Sequence, residues 1–180
     1  VFENGKRRDF TQDGPGVGRI ALLQAYGEEL WIGAAQGVAV RAGERFHRLL
    51  GQGGERFERT TGIVLLPDGE LWLGGGSSLS RVPATEVKRW RTDPSHAVAF
   101  ERFGVLDGLR GSTEQNIGVP SVLSDGQGRI WLAPNRGLHW LEPRAIARNP
   151  APGPLAPTLL GLQVDDKALP LSPHLRLPAG

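Results

Sequence analysis

The fold is decided by the stretch Pro67-Asp68-Gly69-Glu70-Leu71-Trp72-Leu73-Gly74, which has the pattern of a tight turn followed by a strand. Asp-Gly is a strong β-hairpin signal, because both central residues of a type I′ turn need positive φ. The residues before this turn, 62–66, and those further on, 79–82, also have strand character. The segment therefore predicts an antiparallel sheet with Trp72 on its second strand.

Two other segments repeat this pattern. Glu29–Gly33 is followed by a predicted strand at 38–41, and Arg129–Ala133 is followed by one at 138–141. About 40 residues separate Trp31 from Trp72, which is the length of a four-stranded propeller blade, and Trp131 lies about 60 residues beyond Trp72. We therefore predict an all-β fold, a partial β-propeller of about three four-stranded blades, in which each Trp faces the neighbouring blade.

The longer second spacing requires an insertion after the third strand of the second repeat. Residues Ala84–Trp90 have the pattern of a short helix begun by Thr85 and ended by Arg91–Pro94. We expect this insertion to decorate one face as a loop, either where a partner binds or as a plain surface excursion. A strand at Val1–Phe10 is expected to complete the blade before the first repeat.

The repeated motif resembles the two-component regulator propeller repeats, found in periplasmic sensor regions of bacterial histidine kinases and related regulators. The resemblance rests on Asp68–Leu79 and Asp125–Leu138, and extends to Phe103–Arg110 and Glu114–Pro120. The tail through Leu162–Asp166 resembles the entry into the small Ig-like domain, named for its Tyr repeats, that follows the propeller in this family. The resemblance implies partial propeller blades over 1–147, a Pro-rich linker over 148–157 and the truncated start of an Ig-like β-sandwich over 158–180.

The function that this resemblance implies is ligand recognition and signal transduction by a non-catalytic, extracytoplasmic sensor fragment. The parent protein would be anchored in the inner membrane with this part in the periplasm, and its ligand would be a small molecule or an oligosaccharide. The lack of Met in 180 residues that begin with Val1 also predicts a piece of a longer protein. No apolar run reaches about 18 residues, so we expect no direct membrane contact in this fragment.

Catalytic chemistry is not indicated by the motifs. No cysteine is present, the four histidines lack metal-ligand spacing, and the glycine runs lack the phosphate-loop pattern, so we predict no catalytic residue, metal or cofactor. Basic and acidic residues are interleaved and the net charge is +2, which predicts no nucleic-acid partner. The candidate ligand-binding residues are polar residues of blade-connecting loops: Glu114, Gln115, Asn116, Asn135 and Arg136.

Two other functions stay open at this stage. A propeller lyase or glycosidase would need carboxylates, histidines or metal ligands gathered in one cleft. A protein-interaction scaffold would need a broad exposed surface instead of a small-molecule pocket. Three blades cannot close a ring, so we also expect the fragment to be part of a larger propeller or to self-associate through its open edges.

Overall fold

A computed structural model describes residues 14–113 and 119–146 in full, together with the backbone of four short strands outside those ranges. The chain divides into two compact units, Val1–Ile146 and Ala147–Gly180. The second unit contains one described hairpin, whose strands are identified below. The predicted linker and Ig-like start are otherwise outside the described residues and stay predictions.

The chain begins with a two-stranded hairpin. Strands β1 (Phe2–Glu3) and β2 (Lys6–Arg7) pair antiparallel, with Glu3 opposite Lys6. The single strand predicted over Val1–Phe10 is therefore wrong. The intervening residues are Asn-Gly, the dipeptide most favoured in two-residue hairpin loops.

The first and second repeats each form a four-stranded antiparallel sheet in which chain neighbours pair in order. The first three strands of each repeat lie where the sequence predicts them, within a few residues, and the position of the fourth was not predicted. The first sheet comprises β3 (Ile20–Tyr26), β4 (Glu29–Ala34), β5 (Gly37–Ala42) and β6 (Arg45–Leu49). The second sheet comprises β7 (Thr60–Leu65), β8 (Leu71–Gly75), β9 (Ser78–Val82) and β10 (Glu101–Phe103).

The third repeat forms a smaller antiparallel sheet. Its strands are β11 (Val122–Ser124), β12 (Ile130–Leu132) and β13 (His139–Leu141), in that order. Within the described part of the chain this sheet has three strands, where four were predicted. In the second unit, β14 (Leu162–Val164) pairs with β15 (Lys167–Leu169).

The three sheets are joined through their first strands. Strand β7 lies against β3 and β4, and β11 lies against β7. Close backbone approach at these junctions requires glycine: a Cβ at Gly33 would lie 2.7 Å from the Thr60 carbonyl oxygen, and a Cβ at Gly74 would collide with the side chain of Val122. The Ser121 N–H also donates to the Thr61 carbonyl across 3.0 Å, so neighbouring sheets are held together along one line of first strands.

Two hydrophobic clusters fill the spaces between successive sheets. Trp31 is fully buried in the cluster shared by the first and second sheets, and Trp72 is fully buried in the cluster shared by the second and third. Each indole N–H donates to a carboxylate: Trp31 to Glu29 at 3.0 Å, and Trp72 to Glu70 at 2.9 Å. This bond matters because an indole N–H buried without an acceptor would be destabilising.

The insertion of the second repeat is a structural element of the core. The predicted helix is confirmed as α1 (Ala84–Thr92), although it follows Pro83 and has no side-chain cap at its start. Trp90 is buried, with its ring centroid 5.9 Å from that of Trp31, and Arg91 makes two hydrogen bonds to Glu29 of the first sheet, at 2.8 and 2.7 Å. The helix therefore packs against the first sheet and holds it to the second. The prediction that the insertion is a loop decorating one face is wrong.

Candidate functional site

A polar cavity of about 390 Å³ lies where the connection from the first sheet to the second meets the β8–β9 turn. Pockets of about 300–1,000 Å³ are the usual size for small-molecule sites. One wall comes from residues 54–60 and the other from the ends of β8 and β9, with a further contribution from Arg102 on β10. The side chains and turn residues that define it are Glu55, Arg56, Phe57, Glu58, Arg59, Thr60, Leu73, Ser77, Ser78, Ser80 and Arg102.

Glu55 and Arg102 fix one side of this cavity. The Glu55 carboxylate accepts a hydrogen bond from the Phe57 N–H at 2.6 Å and pairs with the Arg102 guanidinium at 2.8 Å. That guanidinium also lies over the ring of Phe100, 5.3 Å from its centroid, and Phe100 packs edge-on against Phe57. Arg102 is thus held in one orientation by a carboxylate and an aromatic ring.

The ionised form of Glu55 is favoured. Partial burial acts to raise the pKa of Glu55, but hydrogen bonds from Arg102 and the Phe57 N–H, with the Arg102 charge, outweigh it and lower the pKa below its ordinary 4.5. A general acid at neutral pH needs a raised pKa. The arrangement therefore suits Glu55 to positioning Arg102 and does not suit it to proton donation.

The loop that carries the other two arginines has an unusual backbone. Phe57 and Arg59 have φ of 53° and 56°, in the left-handed region that non-glycine residues rarely occupy. The loop is held there from both sides, because a Cβ at Gly37 would lie 2.7 Å from the Arg56 carbonyl oxygen and one at Gly75 would lie 2.5 Å from that of Arg59. The Arg59 N–H donates to a carbonyl of the β4–β5 turn at 3.1 Å, so the position of this loop is fixed.

The opposite wall supplies hydroxyl groups. Ser77 is exposed at the β8–β9 turn, Ser78 donates to the Gly75 carbonyl at 3.3 Å, and Ser80 faces Arg102 across the β9–β10 pair. Guanidinium groups and hydroxyls are hydrogen-bonding groups suited to a polar ligand. The cavity can therefore bind a small, polar, oxygen-rich molecule.

Two of the five predicted site residues lie at the same end of the sheets as this cavity. The Asn135 side-chain oxygen accepts from the Ser112 N–H at 3.0 Å, while the Asn135 N–H donates to the Ser112 carbonyl at 3.0 Å. The adjacent Thr113 N–H donates to the carbonyl of Gly76, which lines the cavity, at 2.9 Å. Asn135 thus ties the connection before the third sheet to the β12–β13 turn, and Arg136 follows it on the exposed surface. Glu114, Gln115 and Asn116 lie outside the described residues, and ligand binding by all five stays a prediction.

The charged residues that line the cavity were not singled out from the sequence. The segment Glu55-Arg56-Phe57-Glu58-Arg59 stands between two predicted strands, and its charges in a connecting loop were a signal that could have been used. Arg102 gave no such signal, because its place depends on β10 pairing with β9 beyond the helical insertion.

We expect the stability contributed by Glu55 to fall at acid pH. The folded-state pKa is below 4.5, so the contribution is fully present above that value and is lost as the pH falls through the folded pKa. At pH 7, Glu55→Gln should cost roughly 1 kcal/mol, or about 3 °C in melting temperature, and the gap to the wild type should narrow on titration to pH 3.

Thermal melts of the two proteins from pH 7 to pH 3 measure this gap. Glu58→Gln is the matched control, since Glu58 lines the same cavity as an exposed residue, and its melting curve should follow that of the wild type at pH 7. If the difference in melting temperature between the wild type and Glu55→Gln stays constant or widens as the pH falls, the lowered pKa assigned to Glu55 in the folded state would be contradicted.

Across residues 14–113 and 119–146, no group of three His, Asp or Glu residues is arranged to hold a metal ion. None of the helices in these same ranges is both long enough and apolar enough to cross a bilayer. No protein-family model matches the chain, and no curated protein matches it.

Proposed function

We propose that the first unit is part of a β-propeller and that the three sheets formed by the repeats are successive blades. The support is the line of first strands, since β7 lies against β3 and β11 lies against β7, as the innermost strands of neighbouring blades would. Trp31, Trp72 and Trp131 also occupy equivalent places on the second strand of each sheet.

The sheet of the third repeat carries an apolar row across its strands, and the corresponding Trp residues of the first two sheets are buried. Leu123, Trp131 and Trp140 are cross-strand neighbours, and Leu123 and Trp140 are 55% and 53% exposed. The equivalent Trp31 and Trp72 are each covered by the following sheet. Self-association of the fragment through this row is part of the proposal, and a molar mass of 19.4 kDa by light scattering at all concentrations would contradict it.

The proposed biochemical role is ligand recognition within the extracytoplasmic, periplasmic sensor part of a bacterial two-component signalling protein. The observation that carries it is the polar cavity built by the connection between two repeats, at the same end of the sheets as Asn135 and Arg136. The ligand is a small molecule or an oligosaccharide, and this fragment is non-catalytic in the proposal. Signalling would then require the ligand to bind one arrangement of the parent protein more tightly than another.

A thermal-shift screen of the fragment against oligosaccharides and small periplasmic solutes tests this role. Ser77→Tyr should abolish any shift, because a large side chain at this exposed turn would fill the cavity without disturbing buried packing. Gln127→Tyr places the same side chain on the exposed β11–β12 turn and should leave the shift unchanged. A shift that survives Ser77→Tyr, or a screen with no shift, would contradict recognition by this cavity.

An interaction scaffold is the second candidate function. The exposed row of Leu123, Trp131 and Trp140 favours it, because exposed apolar patches mark protein contacts. If the thermal-shift screen finds no ligand and the fragment associates in a concentration-dependent way, this alternative would be favoured.

A further inference from the structure

Three arginines, Arg56, Arg59 and Arg102, line the cavity together with two glutamates. One of those glutamates, Glu55, is already used in holding Arg102. A guanidinium has five N–H donors in a fixed plane. Within residues 14–113 and 119–146, two of the Arg102 nitrogens bond, one to Glu55 and one, at 3.5 Å, to Ser80. Arg102 therefore has donor capacity beyond its structural bonds.

The left-handed backbone at Arg59 is a second, independent observation. Glycine or asparagine would occupy such a position more easily, since a Cβ there is crowded by the following carbonyl oxygen. The sequence nevertheless places a long cationic residue at this point of a fixed loop, and that residue lines the cavity. Backbone outliers of this kind concentrate at functional sites.

We infer that the cavity binds the carboxylate of a small hydroxylated acid through Arg56, Arg59 and Arg102, with the serines of the opposite wall bonding its hydroxyl groups. Arginine suits this role because its planar fork matches the two oxygens of a carboxylate. This inference rests on the proposed ligand-binding role of the cavity and narrows its ligand class. It predicts that affinity falls with added salt, as expected for partly exposed charges.

Isothermal titration of the 180-residue chain with sugar acids and their neutral counterparts tests the inference. Glucuronate, galacturonate and gluconate are compared with glucose, galactose and glucitol, which carry a hydroxymethyl group in place of the carboxylate. At least one acid should bind ten or more times as tightly as its neutral counterpart. Equal affinity within every pair, or binding of none of the three acids, would overturn the inference.

Arg59→Gly separates binding from folding. Glycine adopts the observed φ without strain, so the variant should keep a cooperative melting transition, while affinity for the acid should fall at least tenfold. Arg110→Ala removes an exposed arginine outside the cavity and should leave affinity unchanged. Retained affinity in Arg59→Gly would overturn the inference.

The failure of this inference can be told from the failure of the proposed function. If a neutral oligosaccharide binds and Ser77→Tyr abolishes that binding, ligand recognition by the cavity stands and the acid class is wrong. If neither acids nor neutral compounds bind, both proposals fail.

Discussion

Replacing Trp72 with alanine is expected to lower the free energy of unfolding by about 3–5 kcal/mol, the range for truncating a large aromatic in a core. Trp72 is fully buried between the second and third sheets, and its ring stacks on Phe103 with centroids 5.8 Å apart. Its removal would leave a cavity and would also take the indole N–H away from the buried Glu70 carboxylate. Equilibrium denaturation with urea measures the loss.

Two further variants separate the causes of this loss. Trp72→Phe keeps most of the ring but not the N–H donor, so it should cost less than the alanine variant and retain part of the packing. Trp140→Ala truncates a Trp of the third sheet that is 53% exposed and should cost about 1 kcal/mol or less in a monomeric sample. Equal losses for Trp72→Ala and Trp140→Ala would contradict the packing described for the second and third sheets.

The strands could be predicted because turn chemistry and hydrophobic pattern agree locally. The turn residues at 26–28, 67–69 and 124–128 and the repeated Trp fix the first three strands of each repeat to within a few residues. The fourth strands were missed for identifiable reasons. Strand β6 contains three basic residues among five, and β10 follows a helix and a loop, so its pairing with β9 is a long-range event that no local pattern encodes.

The packing of the helical insertion could not be predicted from the sequence pattern either. Val87 and Trp90, three residues apart, predicted an apolar helix side, but nothing local indicated that this side faces Trp31 on a different repeat. The cavity, too, depends in part on long-range contacts that no local sequence pattern indicates. Its two walls meet because the loop that precedes β7 leads into a strand that pairs with β8, and its arginines come from this connecting loop and from a missed strand.

Replacing Arg81 with methionine is expected to cost about 3–5 kcal/mol, because breaking a buried ion pair leaves an uncompensated charge. The Arg81 side chain is 5% exposed and bonds to Glu70 at 2.6 Å and to Glu101 at 2.8 Å. Burial acts to lower the pKa of Arg81, but these two carboxylates outweigh it and raise the pKa, so the side chain stays charged. In the variant, the Glu70 carboxylate would retain, within residues 14–113 and 119–146, only the bond from the Trp72 indole N–H.

A double-mutant cycle, measured by urea denaturation, decides whether the loss of the Arg81–Glu70 ion pair causes the loss of stability. Glu70→Gln combined with Arg81→Met should cost less than the two single changes added together, with a coupling of roughly 1–3 kcal/mol, because the double variant leaves no buried charge at this site. Arg91→Met is the control, since it removes a partly exposed partner of Glu29 and should cost about 1 kcal/mol or less. Additive losses would mean that the pair with Glu70 contributes little. Arg81 would then act through its other contacts, the Glu101 carboxylate and the Trp72 ring, whose centroid lies 6.0 Å from the guanidinium carbon.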